Sequence, residues 1–147
     1  MTIQRLAPLA ILAALTLSGC EKEDATPASA TLLGQRWMLQ QIDNTPLALS
    51  SYSETSRSYL EFIDLGHCTV GLGPCNNFSG RFTLGSGQQL SISPQITTRM
   101  ACPALDYETR YLAALARTTR YETSGGELRL YDAEVSTPRL IFRQGTR

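Results

Sequence analysis

From Leu33 onward the chain is built of short runs in which apolar and polar residues alternate, the period of a half-buried β-strand. Phe78, Gly80, Phe82 and Leu84 alternate with Ser79, Arg81 and Thr83 in the clearest of these runs. Gly34 to Ile42, which holds the only tryptophan, Trp37, reads as the first strand. Tyr59–Ile63, His67–Leu72, Leu90 with Ile92, Ile96–Thr98, Tyr121–Thr123, Leu128–Tyr131 and Leu140–Phe142 read as the others. Between them lie turn signals: Asn44-Thr45-Pro46, Asp64-Leu65-Gly66, Gly85-Ser86-Gly87 and Ser124-Gly125-Gly126. Ala48–Ser58 is rich in Ser, Thr and Tyr and reads as a surface loop. One stretch, Pro103–Thr118, has helical spacing. Leu105, Glu108, Leu112 and Leu115 share a stripe there, with Tyr111 beside it. Proline suits its first turn, Asp106 and Glu108 lie near its positive end, and Arg117 and Arg120 lie near its negative end. Many short strands and a single helix predict an α+β, mostly β fold: an antiparallel sheet curled into a small barrel-like domain with one helix packed on it.

The segment before this pattern has a different character. Arg5 is followed by an apolar run from Leu6 to Leu17, broken only by Pro8 and Thr16. That run is too short to span a bilayer and suits a signal peptide, placed at residues 1–19. It ends in Leu17-Ser18-Gly19-Cys20, which resembles the lipobox of bacterial lipoproteins, where the chain is cut before the cysteine and the thiol is acylated. Cys20 is therefore the expected lipidation site. The membrane is the expected partner through that lipid, since more than one acyl chain anchors stably. Resemblance to enterobacterial lipoproteins implies that Glu21, rather than Asp, favours the outer membrane, with the domain facing the periplasm. Residues 20–31 are small and polar and read as a lipidated flexible tether; residues 32–143 form the expected domain. Cleavage before Cys20 leaves 128 of the 147 residues, enough to bury about two-thirds of the unfolded surface.

Charge changes the picture little. The chain has 13 basic and 13 acidic side chains, and twelve of the basic ones are arginine, scattered along the sequence. That balance excludes a nucleic-acid partner of the usual basic kind. The cysteines say more. With Cys20 taken by lipid, Cys68, Cys75 and Cys102 remain for an oxidising compartment, and three is an odd number. Cys75 and Cys102 are read as a staple between a constrained loop and the start of the helix. A Cys68–Cys75 bridge is the competing pairing. Zinc held by the three cysteines and the sole His67 is a third, weaker option, because the spacing lacks a Cys-x2-Cys pair. Neither a metal nor a cofactor is expected.

The constrained loop is Gly71 to Gly80, with three glycines, one proline and two asparagines around Cys75. Leu33-Gly34 followed by Trp37, then Gly73-Pro74-Cys75-Asn76-Asn77-Phe78-Ser79-Gly80, then Thr98-Arg99-Met100-Ala101-Cys102, then Glu108 with Tyr111-Leu112-Ala113-Ala114-Leu115, resembles the META/HslJ family of bacterial lipoproteins. The family's usual loop reads Gly-Cys-Asn, so Pro74 is a departure, and Cys68 is extra to the pattern. The resemblance implies an antiparallel β domain with one helix, an envelope role linked to stress or antibiotic tolerance, and no known catalytic residues.

Read as chemistry, Asn76 and Asn77 either offer amides to a ligand or hydrogen-bond the local backbone in a left-handed turn, the commoner use. Arg99 is expected to pair with Glu108, because a carboxylate on a helix's apolar stripe needs a partner. Met100 and Trp37 read as core residues. Catalysis finds little support. No Gly-x-Ser-x-Gly motif is present, and His67 and Cys68, adjacent on an expected strand, would face opposite ways. Two non-enzymatic readings remain. An interaction lipoprotein that contacts envelope proteins predicts an exposed apolar or Tyr-rich patch. A periplasmic small-ligand module predicts a cavity beside the Cys75 loop. Tyr52, Tyr59, Tyr107, Tyr111, Tyr121 and Tyr131 could serve either.

Overall fold

The computed structural model describes residues 31–47 and 57–145. The signal peptide, Cys20, all of the tether but Thr31, and most of the 48–58 loop with Tyr52 lie outside them. Ten strands and one helix follow in chain order: β1 (Arg36–Ile42), β2 (Thr45–Pro46), β3 (Tyr59–Ile63), β4 (Cys68–Leu72), β5 (Asn77–Leu84), β6 (Leu90–Ile92), β7 (Ile96–Thr97), α1 (Leu105–Ala116), β8 (Arg120–Ser124), β9 (Glu127–Tyr131) and β10 (Leu140–Gln144). All pairings are antiparallel. The sheet runs β6-β5-β4-β3-β1-β10-β9-β8, with β2 added to β1 and β7 to β5.

This path nearly closes into a barrel. The Leu90 N–H donates to the Thr119 carbonyl at 3.1 Å, and the Tyr121 N–H donates to the Gln88 carbonyl at 2.9 Å, so β6 and β8 meet across the seam. The α+β, mostly β expectation therefore holds, with one helix packed on the barrel among the described residues. Alternation along the strands points Leu60 and Phe62, Leu128 and Leu130, and Leu140 and Phe142 inward, each fully buried. In β1 the buried positions are Trp37, Leu39 and Ile42, which breaks the period of two. A register shift between Leu39 and Gln41 supplies the missing residue and returns Ile42 to the core. Trp37 is buried as expected, its indole N–H donating to the Leu32 carbonyl at 3.0 Å. At the β8–β9 hairpin Gly125 and Gly126 take φ of 56° and 76°, values that suit glycine in a tight two-residue turn.

Several expectations need correction. Thr45–Pro46, read as part of a turn, is a two-residue strand on β1. His67 is not in a strand; it occupies a left-handed turn position (φ 48°) ahead of β4, with its ring edge-on to Phe82. The helix is shorter than Pro103–Thr118, and its buried residues are Glu108, Tyr111, Ala114 and Leu115. Leu105 is 46% exposed and Leu112 half-buried, because the face turned to the barrel is centred on Tyr111 rather than on the leucines. Tyr111 reaches Phe78 and Phe142, so the helix covers one mouth of the barrel. Arg120 belongs to β8, and Arg117 stands at the helix C-cap.

A buried carboxylate organises the loop after β9. The Asp132 side chain is 3% exposed and accepts from Arg139 Nε at 2.7 Å and from the Glu134 and Val135 N–H groups at 3.0 Å each. Burial pushes its pKa up, but the Arg139 hydrogen bond and the two backbone donors outweigh that and hold it below the ordinary aspartate value. A depressed native pKa gives stability that is present above the unfolded value, about 3.9, and is lost as pH falls through the native one. Asp132→Asn is therefore expected to flatten the fall in stability below about pH 4. Denaturant midpoints measured across pH for both proteins check this, and parallel acid limbs would refute it.

Candidate functional site: a carboxylate lock on the Cys75 loop

The hairpin from β4 to β5 does not turn tightly. Gly73 to Asn76 bulges out as a buried loop, with the Gly73 N–H donating to the Asn76 carbonyl at 2.7 Å. Such a loop leaves backbone donors away from water, and each must find an acceptor. Glu108, in the first turn of α1 and 3% exposed, supplies it. Its Oε2 accepts from the Cys75 N–H at 2.9 Å and the Asn76 N–H at 2.6 Å, and its Oε1 accepts from Asn76 Nδ2 at 2.7 Å. Three donors thus meet one carboxylate, and the expected Arg99 plays no part. Arg99 is exposed and has no ion pair among the described residues. The backbone met the demand that the sequence suggested a cation would meet.

Gly73 is required by this approach. A Cβ built there would lie 2.7 Å from Glu108 Oε2, closer than side-chain carbons come to such an oxygen. Pro74 lacks an N–H, but the lock draws on the two residues after it, so the departure from Gly-Cys-Asn costs no hydrogen bond here.

Asn76 is the second hub. While its Nδ2 donates to Glu108 and to the Met100 carbonyl (3.2 Å), its Oδ1 accepts from the Met100 N–H at 2.7 Å and from Thr98 Oγ1 at 2.9 Å. Every donor and acceptor of the amide is used toward α1 and the segment leading to it. Neither Asn76 nor Asn77 has positive φ: among the described non-glycine residues only Asp43 and His67 do. Asn77 opens β5 with an exposed side chain and takes no part in the lock. Met100, expected in the core, is 64% exposed; its backbone, not its side chain, engages Asn76. Sequence reading missed Thr98 as a member of the lock, and only its position two residues before Met100 hinted at it.

Cys75 and Cys102 are joined by a disulfide, Cα to Cα 5.8 Å, at a sequence separation of 27. The bridge ties the loop to the residues just before α1, parallel to the Glu108 contact. With Cys75 so committed, the Cys68–Cys75 pairing and the three-cysteine zinc set do not form. Cys68 is a half-buried free thiol, its Sγ 3.4 Å from the Gly66 carbonyl. Tyr111 and Tyr121 lie in the core and Tyr131 is 5% exposed, while Tyr59 and Tyr107 are half-buried, so three of the five described tyrosines are withdrawn from the surface. Burial alone raises the Tyr111 pKa well above the ordinary tyrosine value, which keeps the phenol neutral.

Two open hollows flank the Thr98–Cys102 segment. One of about 390 Å3 lies against α1 and is lined by Thr97, Arg99, Met100, Leu105 and Leu112, with Asn76 and Glu108 also in its wall. The other, about 320 Å3, is lined by Arg57, Leu72, Pro74 and the disulfide. Met100 and Ala101 form the ridge between them.

Fold and site together define a class: a nearly closed antiparallel β barrel whose mouth is covered by one helix, with that helix locked by a buried glutamate and a disulfide to a Gly-Pro-Cys-Asn loop. The chain belongs to the META domain family, whose model matches residues 30–144. It is similar to a protein from Burkholderia xenovorans solved by NMR, at 25% identity and a TM-score of 0.62, over 99% of this chain and 100% of that one. A second NMR structure matches at 21% identity and TM-score 0.56, over 78% of this chain and 92% of that one. A crystal structure of a DUF4847 family protein from Bacteroides vulgatus ATCC 8482 matches at 11% identity and TM-score 0.54, covering 81% and 96%. The last two show likeness of fold. No curated protein matches the sequence.

Proposed function

We propose that this is a lipid-anchored envelope protein, held at the outer membrane through Cys20 with its META domain facing the periplasm, and that it acts by contacting envelope proteins rather than by catalysis. The observation that carries the reading is Leu17-Ser18-Gly19-Cys20 at the end of a short apolar run. The Cys75–Cys102 bridge supports it, since such bonds persist in oxidising compartments. Resemblance to the lipoproteins of the family supports a role in envelope stress or antibiotic tolerance. An interaction role is supported by the exposed apolar side chains of Ile96, Met100 and Leu105. A second reading, a small-ligand module, is favoured by the hollow beside the Cys75 loop, and its open walls argue for a weak or large ligand.

The test is the mass of the mature chain recovered from membranes. A chain beginning at Cys20 and carrying acyl groups is expected, and Cys20→Ala is expected to leave it unprocessed and without lipid. An unacylated chain cleaved elsewhere overturns the anchor. Native mass spectrometry of the periplasmic form separates the two binding readings: a retained small molecule favours the ligand module, and a bare chain favours protein contact.

A further inference from the structure

Four large apolar side chains stand exposed among the described residues, and three of them, Ile96 (77%), Met100 (64%) and Leu105 (46%), belong to the segment and helix end around the 390 Å3 groove. The groove borders β7, which is an open edge. Thr97 lies opposite Phe78 on β5, and the neighbouring Thr98 N–H donates to the Asn77 carbonyl at 3.1 Å. In an antiparallel ladder these positions alternate, so the Thr97 N–H and C=O point away from β5. Among the described residues no strand lies on that side. An unpaired edge beside exposed apolar side chains is a template for another strand.

Charge says which strand. Arg110 of α1 and Arg117 at its C-cap are paired with Asp43 and Glu134. Asp106, beside Leu105, and Arg99, on the groove wall, have no ion pair among the described residues. One unpaired anion and one unpaired cation make the face neutral in sum and complementary to itself under a two-fold axis, where each contact occurs twice.

We propose that this face joins two copies of the chain. They pair edge to edge along β7 about a two-fold axis at Thr97, cover Ile96, Met100 and Leu105, and set Arg99 of each copy toward Asp106 of the other.

Cross-linking of the full-length chain tests this. In a Cys68→Ser background, which removes the free thiol, Thr97→Cys places one new thiol on the axis. Residues that exchange hydrogen bonds across an antiparallel pair have Cα atoms about 5.5 Å apart, a separation that suits a disulfide. A dimer band on a non-reducing gel is expected. Arg99→Asp or Asp106→Arg alone is expected to lower its yield about tenfold, by doubling a like-charge contact, and the two together to restore it to within about twofold. The same charge series on the Cys68→Ser chain, followed by sedimentation in mild detergent, guards against mispairing of the new cysteine with Cys75 or Cys102. A monomer by sedimentation, or a dimer indifferent to the charge series, overturns the proposal.

Discussion

Replacing Glu108 by alanine is expected to cost about 3–4 kcal/mol of folding stability. The reason is what stays behind. The Cys75 and Asn76 N–H groups and the Asn76 amide lose their acceptor while still buried. Each stranded donor costs about 1–3 kcal/mol, partly offset because a buried carboxylate no longer has to be desolvated. An ordinary helix-surface substitution stays within about 0.5 kcal/mol. Glu108→Gln sharpens the test. Its amide oxygen can keep the two backbone donors on Oε2, but its NH2 would then face Asn76 Nδ2. Asn76 cannot flip to relieve this, since its Oδ1 already accepts from Met100 and Thr98. The glutamine variant is therefore expected to fall between wild type and alanine. Denaturant unfolding at neutral pH measures all three. A Glu108→Ala protein as stable as wild type would show that the carboxylate is not what holds the loop. Because Asn76 and Glu108 act as one unit, Asn76→Ala in the Glu108→Ala background should add less than it costs alone, by about 1 kcal/mol or more.

How much of this lock the sequence revealed depends on which atoms make it. Glu108 stood out because a carboxylate on an apolar stripe needs a partner, and it is buried. The choice of Arg99 as that partner failed because sequence displays side chains, and the donors are mostly backbone N–H groups that every residue but proline carries. Met100 misled for the same reason: its apolar side chain suggests burial, while its N–H is what the fold uses. Strands with strict alternation, such as β5 and β9, were legible within a residue or two, because one buried face imposes a period of two. β2 was not, since two residues carry no period, and the bulge in β1 was not, since pairing across strands creates it. The Cys75–Cys102 link was legible from context: one cysteine in the most constrained loop, the other at the start of the stretch with helical spacing.

Removing that link, by Cys75→Ser with Cys102→Ser, is expected to cost about 3.5 kcal/mol, the loop-closure entropy for a separation of 27 residues. Under denaturing, non-reducing conditions one thiol beyond Cys20, that of Cys68, should titrate; two or more would mean the bridge is not formed. The bridge and Glu108 fasten the same loop to the same helix, yet they act on different states. The bridge chiefly restricts the unfolded chain, whereas Glu108 satisfies donors that exist buried only in the folded one. Two consequences separate them. The serine pair should raise the denaturant slope, because an uncrosslinked chain exposes more surface on unfolding, while Glu108→Ala should leave the slope unchanged. Their losses should also add to within about 0.5 kcal/mol, as independent terms do, despite their proximity. A combined loss well short of the sum would instead place the bridge's contribution in the folded loop. It would then be holding Cys75 and Asn76 against the Glu108 carboxylate, so that either fastening alone keeps most of the native geometry.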